Sequence, residues 1–366
     1  MADGATLTAL SDATTVATAD VLPGIPSGDV AGELITPGVL RAELPADAGV
    51  QTTVQRAHAD IRNILQGADR RWLVVVGPCS VHDVDAALEY ATHIQALQRD
   101  VEKSLLLVMR VYVEKPRTRL GWTGLVHDPR LDGSGRVNDG LRIARTLFRD
   151  VNAMGVPVAT EFVDPMVVSY LEDLVAWCAI GARTAESPLH RQMASGLSCP
   201  VGFKNSSSGD IKAAINGMIA ASAPHRVLAM DDAGRAGVRM TAGNPDTHLI
   251  LRGGSRPNTD PHSVHVASAS LARERLVPRL MIDCGHGNAG PSGAQAVVLE
   301  DIVRRVRSRT EDMTHVLGVM LESHLEEGRQ LFVPGVPMRP GQSITDACVG
   351  IEETGRLLRD LAAALG

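Results

Sequence analysis

This sequence carries cationic side chains at or just beyond the ends of several short apolar runs. There are six of them: Arg110, Lys115, Arg117, Arg183, Lys204 and Arg252. Positive charges that converge on one place repel one another unless an anion of comparable charge binds there. Phosphate and carboxylate groups are natural ligands, because arginine binds them through two parallel hydrogen bonds and lysine acts as a point charge. The pattern predicts a site for anionic substrates and favours a pair that carries two phosphates. Taken singly, each arginine could instead be a structural ion-pair partner.

A second group of side chains has the chemistry of metal ligands. Cys79, His286 and Glu322 each follow an apolar run, and Asp346 lies in the polar segment after the last of these runs. A thiolate, an imidazole and two carboxylates suit a divalent transition metal. The residue types alone leave two alternatives open, since a lone buried cysteine is often an inert core residue and a lone histidine is often only a hydrogen-bonding group. The four residues are therefore a candidate metal site.

Lysine is rare in this chain. Only four of the 36 basic residues are lysines, namely Lys103, Lys115, Lys204 and Lys212. Arginine evidently serves wherever only positive charge is needed, so a remaining lysine is favoured where a compact ammonium matters. Lys115 and Lys204 both stand in dense polar motifs, which agrees with a chemical role for these two.

Eight apolar runs, rich in β-branched and aliphatic residues, alternate with segments of helical periodicity. The runs are residues 72–76, 105–111, 156–160, 178–182, 200–203, 248–251, 279–282 and 316–320. Runs that are apolar throughout are typical of strands buried on both faces of a parallel sheet. Eight strand–helix units in about 300 residues predict an α/β fold of the (β/α)8 TIM-barrel type, whose chemistry lies at the C-terminal ends of the strands. A doubly wound sheet is the alternative, and the absence of GxGxxG after the first run weakens it.

Helical periodicity covers most of the intervals between the runs and both flanks. The segments are residues 52–65, 84–98, 138–154, 166–177, 210–221, 261–276, 293–307 and 343–365. Residues 226–244 depart from this rhythm, because two apolar runs flank the turn DDAGRAG, and they predict a β-hairpin inserted before strand six. Residues 1–33 are rich in Ala, Thr, Asp, Gly and Pro without a period, which indicates a flexible N-terminal extension. The expected organisation is this extension followed by one catalytic domain, residues 34–366.

The composition excludes several classes of protein. With 44% hydrophobic and 21% charged residues, the chain is neither disordered nor fibrous. A net charge of -6 argues against a nucleic-acid-binding surface. No apolar run approaches the roughly 20 residues that span a bilayer, and the first residues lack the regions of a signal peptide. The five cysteines are scattered without a CxxC pair, so we expect a reduced, cytoplasmic protein with no membrane partner.

Seven motifs together resemble one enzyme family. They are, in order, GPCSVHD, MRVYVEKPRTRLGWTGL, GARTAESPLHRQMASGLSCPVGFKN, HLILRGG, MIDCGHGN, GVMLESHLEEG and SITDACVG. The sequence resembles type I 3-deoxy-D-arabino-heptulosonate 7-phosphate (DAHP) synthases, also called phospho-2-dehydro-3-deoxyheptonate aldolases, from about Leu34 to the C-terminus. The resemblance implies a (β/α)8 barrel with an N-terminal extension and an inserted hairpin. It also implies a transferase that condenses phosphoenolpyruvate with erythrose 4-phosphate, the first step of the shikimate pathway to chorismate and the aromatic amino acids.

The resemblance further implies roles for individual residues. A divalent cation (Mn, Fe, Co or Zn) would be held by Cys79, His286, Glu322 and Asp346. Phosphoenolpyruvate would be held by Arg110, Lys115, Arg183, Lys204 and Arg252, and erythrose 4-phosphate by Arg117 and Thr118 beside Lys115. The catalytic residues would be Lys115, Lys204, Glu161 and His286, with Glu161 positioning a water or else pairing with a cation. Because like charges crowd at the site, we expect the lysines to have a lowered pKa and to handle protons. The family relation also implies a homo-oligomer, a dimer or a tetramer.

The sequence departs from the family pattern in two regions. Gly285 stands where a serine is usual, and residues 289–293 replace a Ser/Lys-type stretch, so a hydroxyl and a cation are missing near the site. The hairpin lacks the usual Lys-Trp-Gly turn, and inhibition by Phe, Tyr or Trp therefore cannot be inferred. Three alternatives remain: a paralogue that supplies a secondary-metabolic branch, a related synthase such as 3-deoxy-octulosonate 8-phosphate synthase, and a non-catalytic regulatory relative. The KPRT segment and the chain length argue against the second, and the intact ligand and cation sets argue against the third.

Overall fold

A computed structural model describes residues 32–290 and 294–366 of the chain. The flexible extension expected for residues 1–33 lies almost wholly outside the described residues, as do three residues of the departing stretch 289–293. The description that follows concerns residues 34–366, which form one compact unit.

Eight parallel strands form a closed ring, which confirms the predicted (β/α)8 barrel. Strands are numbered in chain order, and β6 (Arg226–Met230) and β7 (Ala236–Met240) belong to the hairpin. The ring strands are β1 (Trp72–Gly77), β2 (Leu105–Arg110), β3 (Val158–Glu161), β4 (Trp177–Ile180), β5 (Val201–Lys204), β8 (Thr247–Leu251), β9 (Leu280–Asp283) and β10 (Val316–His324). The ring closes where β10 pairs with β1, with Gly77 opposite Glu322. A ninth strand outside the ring, β11 (Val349–Gly350), pairs with the end of β10.

The barrel strands are apolar throughout because both of their faces are buried. Every residue of β1 is buried, and alternate side chains belong to two separate clusters. Leu73 and Val75 point into the barrel, whereas Val74 and Val76 pack against the surrounding helices. This alternation is the period of two that a strand imposes on its side chains. The uninterrupted apolar runs of the sequence therefore mark barrel strands.

Helices surround the ring and flank it. They are α1 (Pro37–Glu43), α2 (Ala48–Gln66), α3 (Val84–Val101), α4 (Val137–Ala153), α5 (Val168–Leu171), α6 (Pro188–Ala194), α7 (Lys212–Ala221), α8 (Pro261–Arg273), α9 (His286–Ala289), α10 (Gln295–Arg307) and α11 (Ile351–Leu365). Two 3-10 helices span Glu172–Leu174 and Glu311–His315. The side chains of Asp47, Asp83 and Asp260 accept hydrogen bonds from the first turns of α2, α3 and α8. These caps satisfy amide groups that a helix N-terminus leaves without partners.

Helix α2 closes one end of the barrel. Its Ile61 and Ile64 belong to the same buried cluster as the interior side chains of the strands. Arg62 on this helix forms an ion pair with Asp246, directly before β8, and His58 bonds to the carbonyl of Val175, just before β4. Both contacts lie where strands begin. The opposite end, where the strands finish, is the end that carries the polar residues of the sequence analysis.

Two of the predicted helices are shorter in the structure. The segment 166–177 forms only α5 and a 3-10 turn, because Trp177 already pairs with Ala159 in the barrel. The last helix begins at Ile351 rather than near residue 343, because residues 343–348 form a loop that brings Asp346 to the open end of the barrel.

The predicted hairpin is confirmed. Strands β6 (Arg226–Met230) and β7 (Ala236–Met240) are antiparallel and lie before β8. Separately, no helix within the described residues is both long and apolar enough to cross a membrane.

Candidate active site

A cavity of about 640 Å³ lies at the C-terminal ends of the strands. All six cations of the sequence analysis line it: Arg110, Lys115, Arg117, Arg183, Lys204 and Arg252. Thr118, Glu161, His286, Glu322 and Asp346 line the same cavity, whereas Cys79 is fully buried directly beneath it. The structure thus brings together every residue that the sequence singled out.

The barrel register explains why these residues meet. Arg110, Glu161 and Lys204 are the last residues of β2, β3 and β5, so they leave the ring at one rim. Cys79 reaches this rim because β1 ends in a tight turn at Gly77. The φ of Gly77 is 149°, and a Cβ atom on this residue would lie 2.9 Å from the carbonyl oxygen of Arg110. Only glycine avoids this contact.

Glu114 fixes the segment that carries Lys115 and Arg117. Its carboxylate is buried and accepts hydrogen bonds from the amides of Val163 (3.1 Å) and Asp164 (3.0 Å), just beyond β3. His127 lies 3.1 Å from the same carboxylate. The residue before Lys115 is therefore tied to the neighbouring strand end, which orients the lysine toward the cavity.

Three donor atoms form a compact cluster at the cavity floor. The sulfur of Cys79 and one carboxylate oxygen each of Glu322 and Asp346 lie within 4.8 Å of one another. The Lys115 ammonium lies among them, 2.7 Å from the Cys79 sulfur and 3.1 Å from Asp346 Oδ2. One soft sulfur and two hard oxygens around a positive charge match the donor set of a divalent transition metal. The residues present therefore fit such a cation.

His286 lies beside this cluster. Its Nε2 is 3.6 Å from Glu322 Oε1, and its Nδ1 is 2.9 Å from Asp283 Oδ2. A carboxylate behind the far nitrogen of a histidine is the usual arrangement for a metal-binding imidazole. His286 also has a φ of 54°, a left-handed conformation that is uncommon outside glycine. The backbone is thus held in a costly shape that directs this ring toward Glu322.

The electrostatics of the cluster correct one expectation. Burial alone would lower the pKa of Lys115, but Cys79, Glu322 and Asp346 outweigh it and raise that pKa above its usual value. The expected lowering is wrong for Lys115, because the carboxylates of Glu322 and Asp346 act on it more strongly than burial and the other cations do. Burial and the nearby Glu322 raise the pKa of the Cys79 thiol to about 12. Lys115 therefore keeps its proton at neutral pH, and so does Cys79 until a cation displaces it.

Asp283 is a functional residue that the sequence analysis passed over. This buried last residue of β9 accepts a hydrogen bond from Lys204 Nζ at 2.9 Å and from the amide of Gly285 at 2.9 Å. Burial would raise the pKa of Asp283, but the charges of His286 and Lys204 prevail and hold it well below the usual range. The signal was its place at the end of an apolar run, directly before Cys284 and Gly285.

Several polar atoms of the residues that line the cavity lack a hydrogen-bond partner. In the described part of the chain, Nη1 of Arg110, Nε of Arg252 and Oε1 of Glu161 are buried without a hydrogen-bond partner. Buried polar groups without partners are rare in native proteins. Two of these atoms are donors suited to an anion, and the third is an acceptor suited to a hydroxyl or a water.

The remaining cations are held by neutral partners. Arg183 Nε donates to Thr118 Oγ1 at 2.9 Å, and Arg117 Nε donates to the carbonyl of Trp122 at 2.8 Å. Arg119 and Arg329 also line the cavity, and sequence reasoning missed both because they stand in loops away from any apolar run.

The fold and the site define a (β/α)8-barrel enzyme. Cationic side chains suited to anionic ligands line the open end of the barrel, beside a cluster of candidate metal ligands. Residues 47–359 match the model of the DAHP synthetase I family. The chain belongs to this family, as the sequence motifs predicted.

Named relatives agree with this assignment. The chain is 47% identical over 334 residues to the Phe-sensitive phospho-2-dehydro-3-deoxyheptonate aldolase of Escherichia coli K12, covering 91% of this chain and 95% of that protein. It is 46% identical over 330 residues to the Tyr-sensitive enzyme of the same strain, covering 90% and 92%. A solved phospho-2-dehydro-3-deoxyheptonate aldolase from Francisella tularensis SCHU S4 superposes with a TM-score of 0.87 at 42% identity, covering 92% of this chain and 98% of that one.

Proposed function

We propose that this protein condenses phosphoenolpyruvate, D-erythrose 4-phosphate and water to 3-deoxy-D-arabino-heptulosonate 7-phosphate and phosphate. This reaction opens the shikimate pathway to chorismate and the aromatic amino acids. The observation that carries the proposal is a cavity lined by six cations, with a Cys/Glu/Asp donor cluster at its floor. Family membership supplies the identity of the two substrates.

Phosphoenolpyruvate lies against five of the six cations that line the cavity. Its phosphate and carboxylate take hydrogen bonds from Arg110, Lys115, Arg183, Lys204 and Arg252. The unpartnered Nη1 of Arg110 and Nε of Arg252 support this placement, since both are buried donors at the cavity. Charge-assisted hydrogen bonds of this kind are about twice as strong as neutral ones. They orient carbon 3 of the substrate toward the second binding region.

Erythrose 4-phosphate lies against the loop after β2, where its phosphate is bound by Arg117 and Thr118. Both side chains line the cavity and stand beside Lys115. The hydrogen bond from Arg183 to Thr118 joins the two substrate regions. This contact supports a geometry in which the aldehyde of one substrate faces carbon 3 of the other.

Cys79, His286, Glu322 and Asp346 would hold the divalent cation, which is Mn, Fe, Co or Zn. Bound there, the cation supplies Lewis-acid polarisation of the aldehyde oxygen. Cys79 must lose its proton to become a ligand, because the thiol is neutral in the metal-free protein.

The chain's own groups manage the protons of the reaction. Carbon 3 of phosphoenolpyruvate attacks the aldehyde carbon, and Lys115 Nζ, which is protonated at neutral pH, donates to the developing alkoxide. Carbon 2 then has oxocarbenium character and is captured by water. Glu161 Oε1 positions this water and accepts a proton from it. The resulting hemiketal phosphate collapses to the ketone as the bond between carbon 2 and the bridging oxygen breaks, and the departing phosphate takes up the hydroxyl proton. Lys204, paired with Asp283 at 2.9 Å, holds the departing anion.

A phosphate-release assay with phosphoenolpyruvate and either erythrose 4-phosphate or arabinose 5-phosphate tests this function. We expect turnover with the four-carbon sugar only, and loss of turnover in EDTA that is restored by Mn²⁺. Phosphoenolpyruvate labelled with ¹⁸O at the bridging oxygen should yield labelled phosphate, since the carbon–oxygen bond breaks. Turnover with the five-carbon sugar alone would instead identify the related octulosonate synthase, and no turnover with either would contradict the proposal.

We also propose a homo-oligomer, a dimer or a tetramer, located in the cytoplasm. The exposed apolar side chains of Leu228, Val238 and Met240 on the hairpin support self-association. All five cysteines are buried free thiols, which agrees with a reducing compartment. Light scattering after size exclusion measures the subunit number, and a monomer at micromolar concentration would contradict the first proposal.

A further inference from the structure

Gln295, the first residue of α10, is buried against the backbone of the two segments that carry Glu322 and Asp346. It is 2% exposed and lines the cavity without being one of the metal-ligand or anion-binding residues. Its Oε1 accepts a hydrogen bond from the amide of Glu322 at 2.9 Å. Its Nε2 donates to the carbonyl oxygens of Glu322 at 3.2 Å and of Ala347 at 3.1 Å.

These contacts replace a missing strand. On one side β10 remains paired with β1, where Glu322 stands opposite Gly77. On the other side the pairing with β9 ends two residues before Glu322, with Asp283 opposite Met320. The backbone of Glu322 therefore has no partner in β9. The amide of Gln295 takes that position, because it offers one acceptor and two donors in a plane, as a peptide group does.

The third hydrogen bond reaches a different segment. Ala347 follows Asp346 directly in the loop before β11, and this loop approaches β10 only at the rim of the barrel. One side chain thus holds the backbone of Glu322 and the backbone next to Asp346. Their carboxylates are two of the three clustered donors.

We propose that Gln295 is a positioning residue that sets the separation of the Glu322 and Asp346 carboxylates and thereby the affinity of the site for a divalent cation. This inference rests on the proposed cation site. No other uncharged side chain available at that position could serve in the same way, since a shorter amide would not span both segments and a carboxylate would place negative charge against two carbonyl oxygens. Groups that orient metal ligands typically contribute 10- to 100-fold to metal affinity, as a rough scale.

Gly285 leaves the space that this arrangement needs. A Cβ atom at Gly285 would lie 3.2 Å from Gln295 Oε1, a contact tighter than side chains normally make. The glycine that departs from the family pattern is therefore matched to Gln295 in this chain.

The test compares Gln295→Met with a matched control, Gln98→Met, in the full-length protein. Gln98 makes the same kind of clamp far from the cavity, at the start of β2, where Nε2 donates to the carbonyl of Leu105 at 3.0 Å and Oε1 accepts from the amide of Leu107 at 2.7 Å. Metal-free protein is titrated with Co²⁺, and the thiolate-to-cobalt charge-transfer band reports binding at Cys79. We expect Gln295→Met to weaken Co²⁺ binding by about 10- to 100-fold and Gln98→Met to leave it unchanged.

Each outcome decides the matter. Equal Co²⁺ affinity in Gln295→Met and wild type overturns the positioning role while the proposed function stands. Equal weakening in both variants also overturns it, because the effect is then general destabilisation. A wild-type protein without the cobalt band removes the cation site itself and the inference with it.

Hydrogen exchange in the metal-free protein gives a readout that does not depend on activity. Gln295→Met should speed exchange of the Glu322 amide, and Gln98→Met that of the Leu107 amide. If Gln295→Met does not fold, Gln295→Glu replaces it. This variant keeps the acceptor for the Glu322 amide and loses both donors, so faster exchange should be confined to residues 346–348. Unchanged exchange there overturns the proposal.

Discussion

Replacing Asp283 by asparagine should destabilise the protein and weaken phosphoenolpyruvate binding together. The carboxylate of Asp283 accepts a hydrogen bond from Lys204 at 2.9 Å and lies 2.9 Å from His286 Nδ1. The Lys204 side chain is only 4% exposed and that of Asp283 is fully buried. Asparagine keeps the shape but removes the charge, so a buried ammonium is left without its counter-charge.

The magnitude follows from this burial. Breaking one partner of a buried ion pair costs about 3 to 5 kcal/mol, because the desolvation of the remaining charge is no longer compensated. We expect about 3 kcal/mol for Asp283→Asn, since water in the adjoining cavity can reach the lysine from one side. The double variant Asp283→Asn/Lys204→Met removes both charges, so it should be more stable than the sum of the two single losses.

Urea unfolding followed by tryptophan fluorescence measures the free energies, and isothermal titration measures phosphoenolpyruvate binding. Asp173→Asn is the matched control, because Asp173 pairs with the buried Arg145 at 2.7 Å on the outer layer of helices. We expect it to lower stability while phosphoenolpyruvate affinity stays unchanged. A loss below about 1 kcal/mol for Asp283→Asn would refute the argument, as would strict additivity in the double variant.

Three further outcomes are expected. Cys79→Ser should lower metal affinity and turnover by more than roughly 100-fold with the fold intact, since a neutral hydroxyl replaces a thiolate; near-normal, EDTA-sensitive turnover would show that the ligand assignment is wrong. Lys115→Arg should abolish most turnover, because a planar guanidinium group cannot fit 2.7 Å from the Cys79 sulfur. Lys103→Arg and Lys212→Arg should leave turnover nearly unchanged. Equal turnover in all three variants would remove the argument from the scarcity of lysine. Burial lowers the pKa of His248 from 6.5 to about 4, so the folded protein keeps this ring neutral. The free energy of unfolding should therefore decrease as the pH falls from 6.5 to 4, by about 3 kcal/mol at about 1.4 kcal/mol per pH unit. His248→Gln should remove this part of the acid dependence in urea unfolding at pH 7 and pH 4, and an unchanged dependence would exclude the ring as its source.

The barrel could be predicted because the sequence of each strand shows a pattern that can be recognised without knowing which segments pack against it. Residues of β1 such as Val74 and Val75 are apolar on both faces, and that pattern alone indicates a buried parallel strand. The same reasoning placed Lys204 at a strand end. It failed for the helix expected over 166–177, because the pairing of Trp177 with Ala159 is a property of the assembled ring.

The finer parts of the site depend on contacts between distant segments. Lys115 meets Asp346 across 231 positions of the chain, and the direction of its pKa follows from that contact rather than from neighbouring sequence. Gln295 opens a helix and has no motif of its own, so only its three hydrogen bonds mark it. Sequence reasoning finds residues at strand ends, and it passes over residues that hold those ends in place.

The charge balance of the cavity refines the first argument from the sequence. Six cations need compensation, and the protein supplies it for three of them, through Arg110 with Glu322, Lys115 with Asp346, and Lys204 with Asp283. Arg117, Arg183 and Arg252 have no ion pair among the described residues, so they are available to anions from the outset. If Glu322 and Asp346 bind a divalent cation as proposed, Arg110 and Lys115 would also become free to bind phosphate and carboxylate. The positive charge available at the open end of the barrel would therefore be greatest once the cation site is filled.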